Sequence, residues 1–168
     1  MTIKTIEEQL ILHEGIVLKP YICPAGYWTI GAGRNLESKG FSSIEQKLIF
    51  GKDGINKDEV IERLKEHGIT YDQALFLLAN DIAECERDLR QFAWYDRLDE
   101  VRRKVVIDMR FNLGASGFRQ FKKMIAALER RDYHAAAHEM INSKWYRQVG
   151  ARGKRLVEMM RTGQDYQD

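Results

Sequence analysis

The segment that most constrains this 168-residue chain begins at Thr70. Thr70-Tyr71-Asp72-Gln73 has the form of a capping box, with threonine at the N-cap and glutamine three positions on. Beyond it Tyr71, Leu75, Leu78, Ile82, Cys85 and Leu89 recur in steps of four and three. That periodicity predicts one helix of about 20 residues with an apolar stripe, roughly 30 Å long. A helix of that length takes up much of a small protein, and the chain on its two sides has different textures.

On the N-terminal side, Ile3, Ile6, Leu10 and Ile11 predict a helix over 3–13, with Thr2 as its N-cap. The pattern stops at Gly15. Between Gly15 and Gly33 lie four glycines and both prolines of the chain, interleaved with the β-type pieces Ile16-Val17-Leu18 and Tyr27-Trp28-Thr29-Ile30. Pro24-Ala25-Gly26 reads as the turn of a hairpin. Residues 35–57 are turn-rich and poorly periodic, and 58–67 read as a short charged helix stopped by Gly68. On the C-terminal side every periodic stretch is helical: Val101 to Leu113, Phe118 to Leu128, Tyr133 to Ile141, and 151–162. No internal repeat is evident. The expected fold is α+β and mainly helical: a small lobe over 14–69 with a hairpin sheet, a connecting helix over 70–90, and an all-helical lobe over 91–168, on which helix 3–13 packs.

Composition narrows the function classes. Apolar residues make up 44% and charged residues 31%, the balance of a globular domain and not of a disordered chain. No apolar run approaches the ~20 residues of a membrane-spanning helix, and MTIKTIEEQLILHEG lacks the pattern of a signal peptide. Synthesis in the cytosol without membrane insertion is the expectation. The net charge of +2 conceals an asymmetry, −5 over residues 1–89 and +7 over 90–168. A basic half suits an anionic partner, whether nucleic acid, membrane phosphate or cell wall, and equally suits a merely solvated surface.

Most candidate motifs carry little. Gly31-Ala32-Gly33-Arg34-Asn35-Leu36 starts like a dinucleotide fingerprint but has leucine for the third glycine and no βαβ unit behind it, so it reads as a turn. His134 and His138 have metal-compatible i, i+4 spacing without an evident third ligand, and read as solvent-facing. Cys85, on the apolar stripe, reads as a buried small hydrophobe. No metal or cofactor is called for. What remains is Glu14, at a helix end beside the hairpin, where partial burial would raise its pKa and let it donate a proton near neutral pH. Tyr21, Cys23 and Thr29 are the polar groups nearby; an exposed helix-end glutamate is the plainer alternative.

His13-Glu14-Gly15, Tyr21 and Gly26-Tyr27-Trp28-Thr29-Ile30-Gly31-Ala32-Gly33 together resemble the signature of T-even-type phage lysozymes (endolysins, glycoside hydrolase family 24). Leu98-Asp99-Glu100-Val101-Arg102-Arg103, Phe111-Asn112-Leu113-Gly114, Ser143-Lys144-Trp145-Tyr146 and Arg161-Thr162-Gly163 extend the resemblance over nearly the whole chain. The resemblance implies a two-lobe lysozyme fold and cleavage of the β-1,4 bond between N-acetylmuramic acid and N-acetylglucosamine in bacterial peptidoglycan. It implies Glu14 as general acid, Thr29 as the residue that places the attacking water, and Arg152 as a partner of the glutamate. Asn112 falls on a substrate-contacting position, with Phe111 and Lys144 among the substrate-binding or supporting residues. Arg34 stands where many relatives have histidine, with Asp81 as its implied partner. A monomer, waiting in the host cytoplasm until a holin admits it to the periplasm and wall, is implied as well.

At one position the chain departs from that family. The second catalytic carboxylate, an aspartate, is replaced by Cys23, with the spacing from Glu14 and to Thr29 kept and with Pro20 and Pro24 on either side. A thiol titrates near ~8.5, so only a few per cent is thiolate at neutral pH unless a neighbouring positive charge lowers that value. Three roles are open: a base that handles water with Thr29, a nucleophile, or a bystander that leaves Glu14 to act alone by lytic transglycosylase chemistry. A noncatalytic wall-binding module is the alternative from another class.

Overall fold

The computed structural model describes residues 4–167. Thr2 and Ile3, the expected cap and first apolar residue of the opening helix, lie outside them. Among the described residues the fold is mainly helical with one small antiparallel sheet, the α+β class expected. Contacts divide the described residues into two compact units, Glu7–Asp81 and a second formed by residues 82–167 with 4–6.

The N-terminal unit begins in helix α1 (Ile6–Glu14), of which Ile6 belongs with the other unit. The chain then enters strands β1 (Val17–Ile22), β2 (Trp28–Gly31) and β3 (Arg34–Asn35), a sheet in the order β1-β2-β3. The hairpin pairs Tyr21 with Thr29 and Ile22 with Trp28, and its register is irregular between Val17 and Tyr21, where Pro20 has no N–H to give. Helices α2 (Ser43–Phe50) and α3 (Lys57–His67) follow. Ile30, Leu36, Phe41, Val60, Leu64 and Leu77 are among the side chains of this unit's core. Gly68 ends α3 at φ +67° so close to β1 that a Cβ there would meet the Leu18 carbonyl oxygen at 2.6 Å.

Helix α2 lies in a stretch expected to be turns. Its apolar pattern misleads because Ile44 and Leu48 are 70% and 51% exposed, whereas Glu45 and Gln46 are buried. Glu45 closes a capping box with Ser42 and also binds the guanidinium of Arg34, Oε1 to Nη1 at 2.8 Å. Arg34 reaches Asp81 as well, Nε to Oδ2 at 3.0 Å and Nη2 to Oδ1 at 2.8 Å. The Arg34–Asp81 pair is therefore buried, and its loss would strand a charge in the interior.

Helix α4 (Tyr71–Leu89) carries the expected capping box: the Thr70 N–H donates to Gln73 Oε1 at 2.9 Å and the Gln73 N–H to Thr70 Oγ1 at 3.1 Å. Leu78, Ile82, Cys85 and Leu89 are buried, while Tyr71 is half exposed. The division between the units falls within this helix.

The C-terminal unit continues through a 3-10 turn at Tyr95–Arg97 into α5 (Glu100–Arg119), α6 (Lys122–Glu129), α7 (Tyr133–Ile141), α8 (Lys144–Val149) and α9 (Ala151–Thr162). Gly114, at φ 78°, breaks α5 where its end was expected, and helical backbone resumes as far as Arg119. Leu89, Trp94, Val105, Met109, Phe118, Met140 and Leu156 are among the core residues. Buried Lys104 pairs with Asp165 at 2.8 Å, and half-buried Asp88 with Arg110 at 2.6 Å and Arg119 at 2.7 Å. No helix among the described residues is long and apolar enough to cross a membrane.

Candidate active site

Three of the expected site residues, Glu14, Cys23 and Thr29, come from the first two turns of chain in the N-terminal unit. Glu14 is the last residue of α1 and is half-buried. Gly15 leaves the helix at φ +72° while its N–H still caps the Ile11 carbonyl at 2.8 Å. Gly33, in the turn between β2 and β3, is what gives the carboxylate room. It has φ +81°, and a Cβ on it would stand 3.2 Å from Glu14 Oε1.

Cys23 opens the hairpin turn. Its N–H donates to the Tyr27 carbonyl at 2.9 Å, and the Gly26 N–H returns to the Cys23 carbonyl at 2.8 Å. That tight turn aims backbone donors at the sulfur. The Tyr27 N–H, the Thr29 hydroxyl and then the Ala25 and Gly26 N–H groups hold the thiol below its ordinary pKa, by favouring the thiolate they hydrogen-bond. Thr29 is buried on β2, and its hydroxyl also donates to the Tyr27 carbonyl at 2.9 Å. One hydroxyl thus lies within reach of two acceptors, the Tyr27 carbonyl and the Cys23 sulfur.

Tyr21 feels the charge of both Glu14 and Cys23. It pairs across the sheet with Thr29. Its hydroxyl is pushed above its ordinary pKa by burial first, then by the negative charges of Glu14 and Cys23. A phenol that feels both charges stays neutral and can donate a hydrogen bond at any ordinary pH.

The remaining expected site residues belong to the C-terminal unit. Asn112 is exposed and accepts from Trp145 Nε1 at 2.8 Å; Phe111 is half-buried against that unit's core, and Lys144 is exposed as the first residue of α8. Arg152 donates Nε to Asp108 at 2.8 Å, and the aspartate is fully buried. Asp108 was not among the expected residues. Its signal in the sequence is a charge on the inward face of α5, four residues after the equally buried Lys104. Gly33 and Tyr21 were visible as residues of the motif, but their relation to Glu14 depends on the fold.

The family model of the phage lysozymes matches residues 12–162, so the chain belongs to that family, among lysozyme-like cell-wall hydrolases of the glycosidase type. Its relatives extend beyond phages. It is 27% identical to each of two proteins of Dictyostelium discoideum named probable T4-type lysozyme 1 and 2, over 96% of this chain and 96% of theirs. It is 26% identical to the pre-baseplate central spike protein Gp5 of Enterobacteria phage T4, over 95% of this chain and 28% of that longer one.

Proposed function

We propose that this protein is an endolysin, an N-acetylmuramidase that hydrolyses the β-1,4 bond between N-acetylmuramic acid and N-acetylglucosamine in bacterial peptidoglycan. Glu14 protonates the glycosidic oxygen as the bond to the anomeric carbon breaks. A water placed by Thr29 attacks that carbon from the other face, and the Cys23 thiolate takes its proton. Cys23 thus replaces the family's aspartate in the glycoside hydrolase family 24 pattern. Asn112, Phe111 and Lys144 contact the glycan. Peptidoglycan is the partner, the protein acts as a monomer, and a holin admits it from the host cytoplasm to the periplasm and wall.

The observation that carries this reading is the set of donors around Cys23. Tyr27, Thr29, Ala25 and Gly26 all favour the ionised sulfur, which is the form a base must have. The test is release of soluble fragments from purified walls by the wild type and by Glu14→Gln. Loss of release in the variant is expected; release at the wild-type rate would overturn the assignment.

A further inference from the structure

Strand β3, two residues long, does not run the full length of β2, which has four. It pairs Asn35 with Thr29 and Arg34 with Ile30, and one further bond runs from the Leu36 N–H to the Trp28 carbonyl at 2.8 Å. There the chain turns away, because Asn35 Oδ1 accepts the N–H groups of Glu37 and Ser38 at 2.8 and 2.9 Å in an Asx turn. The Trp28 N–H, at the start of β2, is taken by a side chain instead. Glu37 Oε2 accepts it at 2.7 Å, the short distance of a charge-assisted bond.

Glu37 is exposed, yet both ends of this bond are tied to α3. Lys57 Nζ donates to the Glu37 and Ser38 carbonyls at 3.0 and 3.3 Å, and Lys65 Nζ stands 4.2 Å from the centroid of the Trp28 ring. The Trp28 N–H shares one planar peptide group with the Tyr27 carbonyl. That carbonyl accepts the Cys23 N–H at 2.9 Å and the Thr29 hydroxyl at 2.9 Å. A carboxylate that fixes the N–H side of this plane therefore also fixes the carbonyl side, on which the Cys23 turn and the Thr29 hydroxyl are docked. The adjoining peptide group carries the Tyr27 N–H, a donor to the Cys23 sulfur.

We propose that Glu37 is a positioning residue for Cys23 and Thr29: by holding the Tyr27–Trp28 peptide plane from its N–H side, it keeps the Tyr27 N–H and the Thr29 hydroxyl aimed at the sulfur. That this serves wall cleavage rests on the proposed function; the effect on the thiol does not. An action of Glu37 through charge alone has the opposite sign. A nearby negative charge disfavours the thiolate, so removing it would favour ionisation, whereas loosening the donors disfavours it.

The test follows alkylation of Cys23 by iodoacetamide against pH in the full-length protein, with peptide mass mapping to separate it from the buried Cys85. The rate reports the thiolate. Glu37→Ala removes the acceptor, Glu37→Asp keeps the charge but falls one methylene short of the Trp28 N–H, and Glu37→Gln keeps a carbonyl oxygen at full reach. The Ala and Asp variants should raise the Cys23 pKa by about half a pK unit or more, a roughly threefold or greater fall in alkylation rate on the acid limb. The Gln variant should restore the wild-type profile. Thermal unfolding verifies that the variants fold. An unchanged or lowered Cys23 pKa in Glu37→Ala or Glu37→Asp, or a Gln variant that behaves as Ala does, would overturn the proposal. This readout needs no substrate, so its failure is distinct from failure of the muramidase reading, which fragment release from walls decides.

Discussion

In the proposed mechanism Glu14 and Cys23 act as acid and base, two groups of ordinarily unequal strength. A carboxylic acid is ordinarily stronger than a thiol by about 4 pK units, so the productive state, with the acid protonated and the sulfur ionised, is a minority of molecules. Each unit by which the Tyr27, Thr29, Ala25 and Gly26 donors lower the thiol pKa raises that minority tenfold. In this mechanism activity should fall on the alkaline side as pH passes the Cys23 pKa, because beyond it further ionisation of the sulfur no longer compensates for the falling share of protonated acid. Cys23→Asp should keep much of the activity and move this alkaline limb to lower pH. Cys23→Ala should lose roughly 10²-fold or more in kcat, the usual weight of a general base. A kcat and pH profile unchanged in Cys23→Ala would make the sulfur a bystander. Gly33→Ala is the second residue-scale test. Its Cβ meets Glu14 Oε1 at 3.2 Å from a backbone at φ +81°, so kcat should fall at least ~10-fold while far-UV circular dichroism stays native.

Among the elements, those whose signal is local were readable and those whose signal is tertiary were not. The capping box at Thr70 is written in four consecutive residues, and it forms as read. Thr70→Ala should cost about 1 kcal/mol in denaturant unfolding. The hairpin is marked by its turn residues, and its resemblance to a known motif pointed to Glu14, Cys23 and Thr29 together. Helix α2 escaped because its inward face is polar: Glu45 and Gln46 are buried for partners, Arg34 and the backbone of Ile55, that lie elsewhere in the chain. Periodicity of apolar residues cannot report a face held by ions. Likewise the Arg152–Asp108 pair joins residues 44 apart. Glu45→Ala leaves Arg34 buried with Asp81 as its remaining carboxylate, and should cost about 3 kcal/mol. A loss near zero would mean that the network is solvated in solution.

For the molecule as a whole, charge decides how stability responds to acid. Hydrogen bonds from Arg34 and Asn80 hold the Glu45 carboxyl at about 2 against the burial that would raise it. The bond from Arg119, with Arg110, holds Asp88 at about 2. Both groups bind protons more weakly folded than unfolded, so their stabilisation is complete above the unfolded carboxylate range and is lost as pH falls from about 4.5 to about 2. Urea midpoints should be level near neutrality and drop across that window, and Glu45→Gln should flatten the drop. The two groups belong to different units, so each unit has its own acid-sensitive ion pair. At the same scale stands the proposed reaction, in which a sulfur takes the place of a carboxylate and water remains the acceptor. Mass spectrometry of the soluble products from purified peptidoglycan tests this most directly. Fragments ending in reducing N-acetylmuramic acid are the expected result; 1,6-anhydro ends, lighter by one water, would contradict it and make the protein a transglycosylase that works through Glu14 alone.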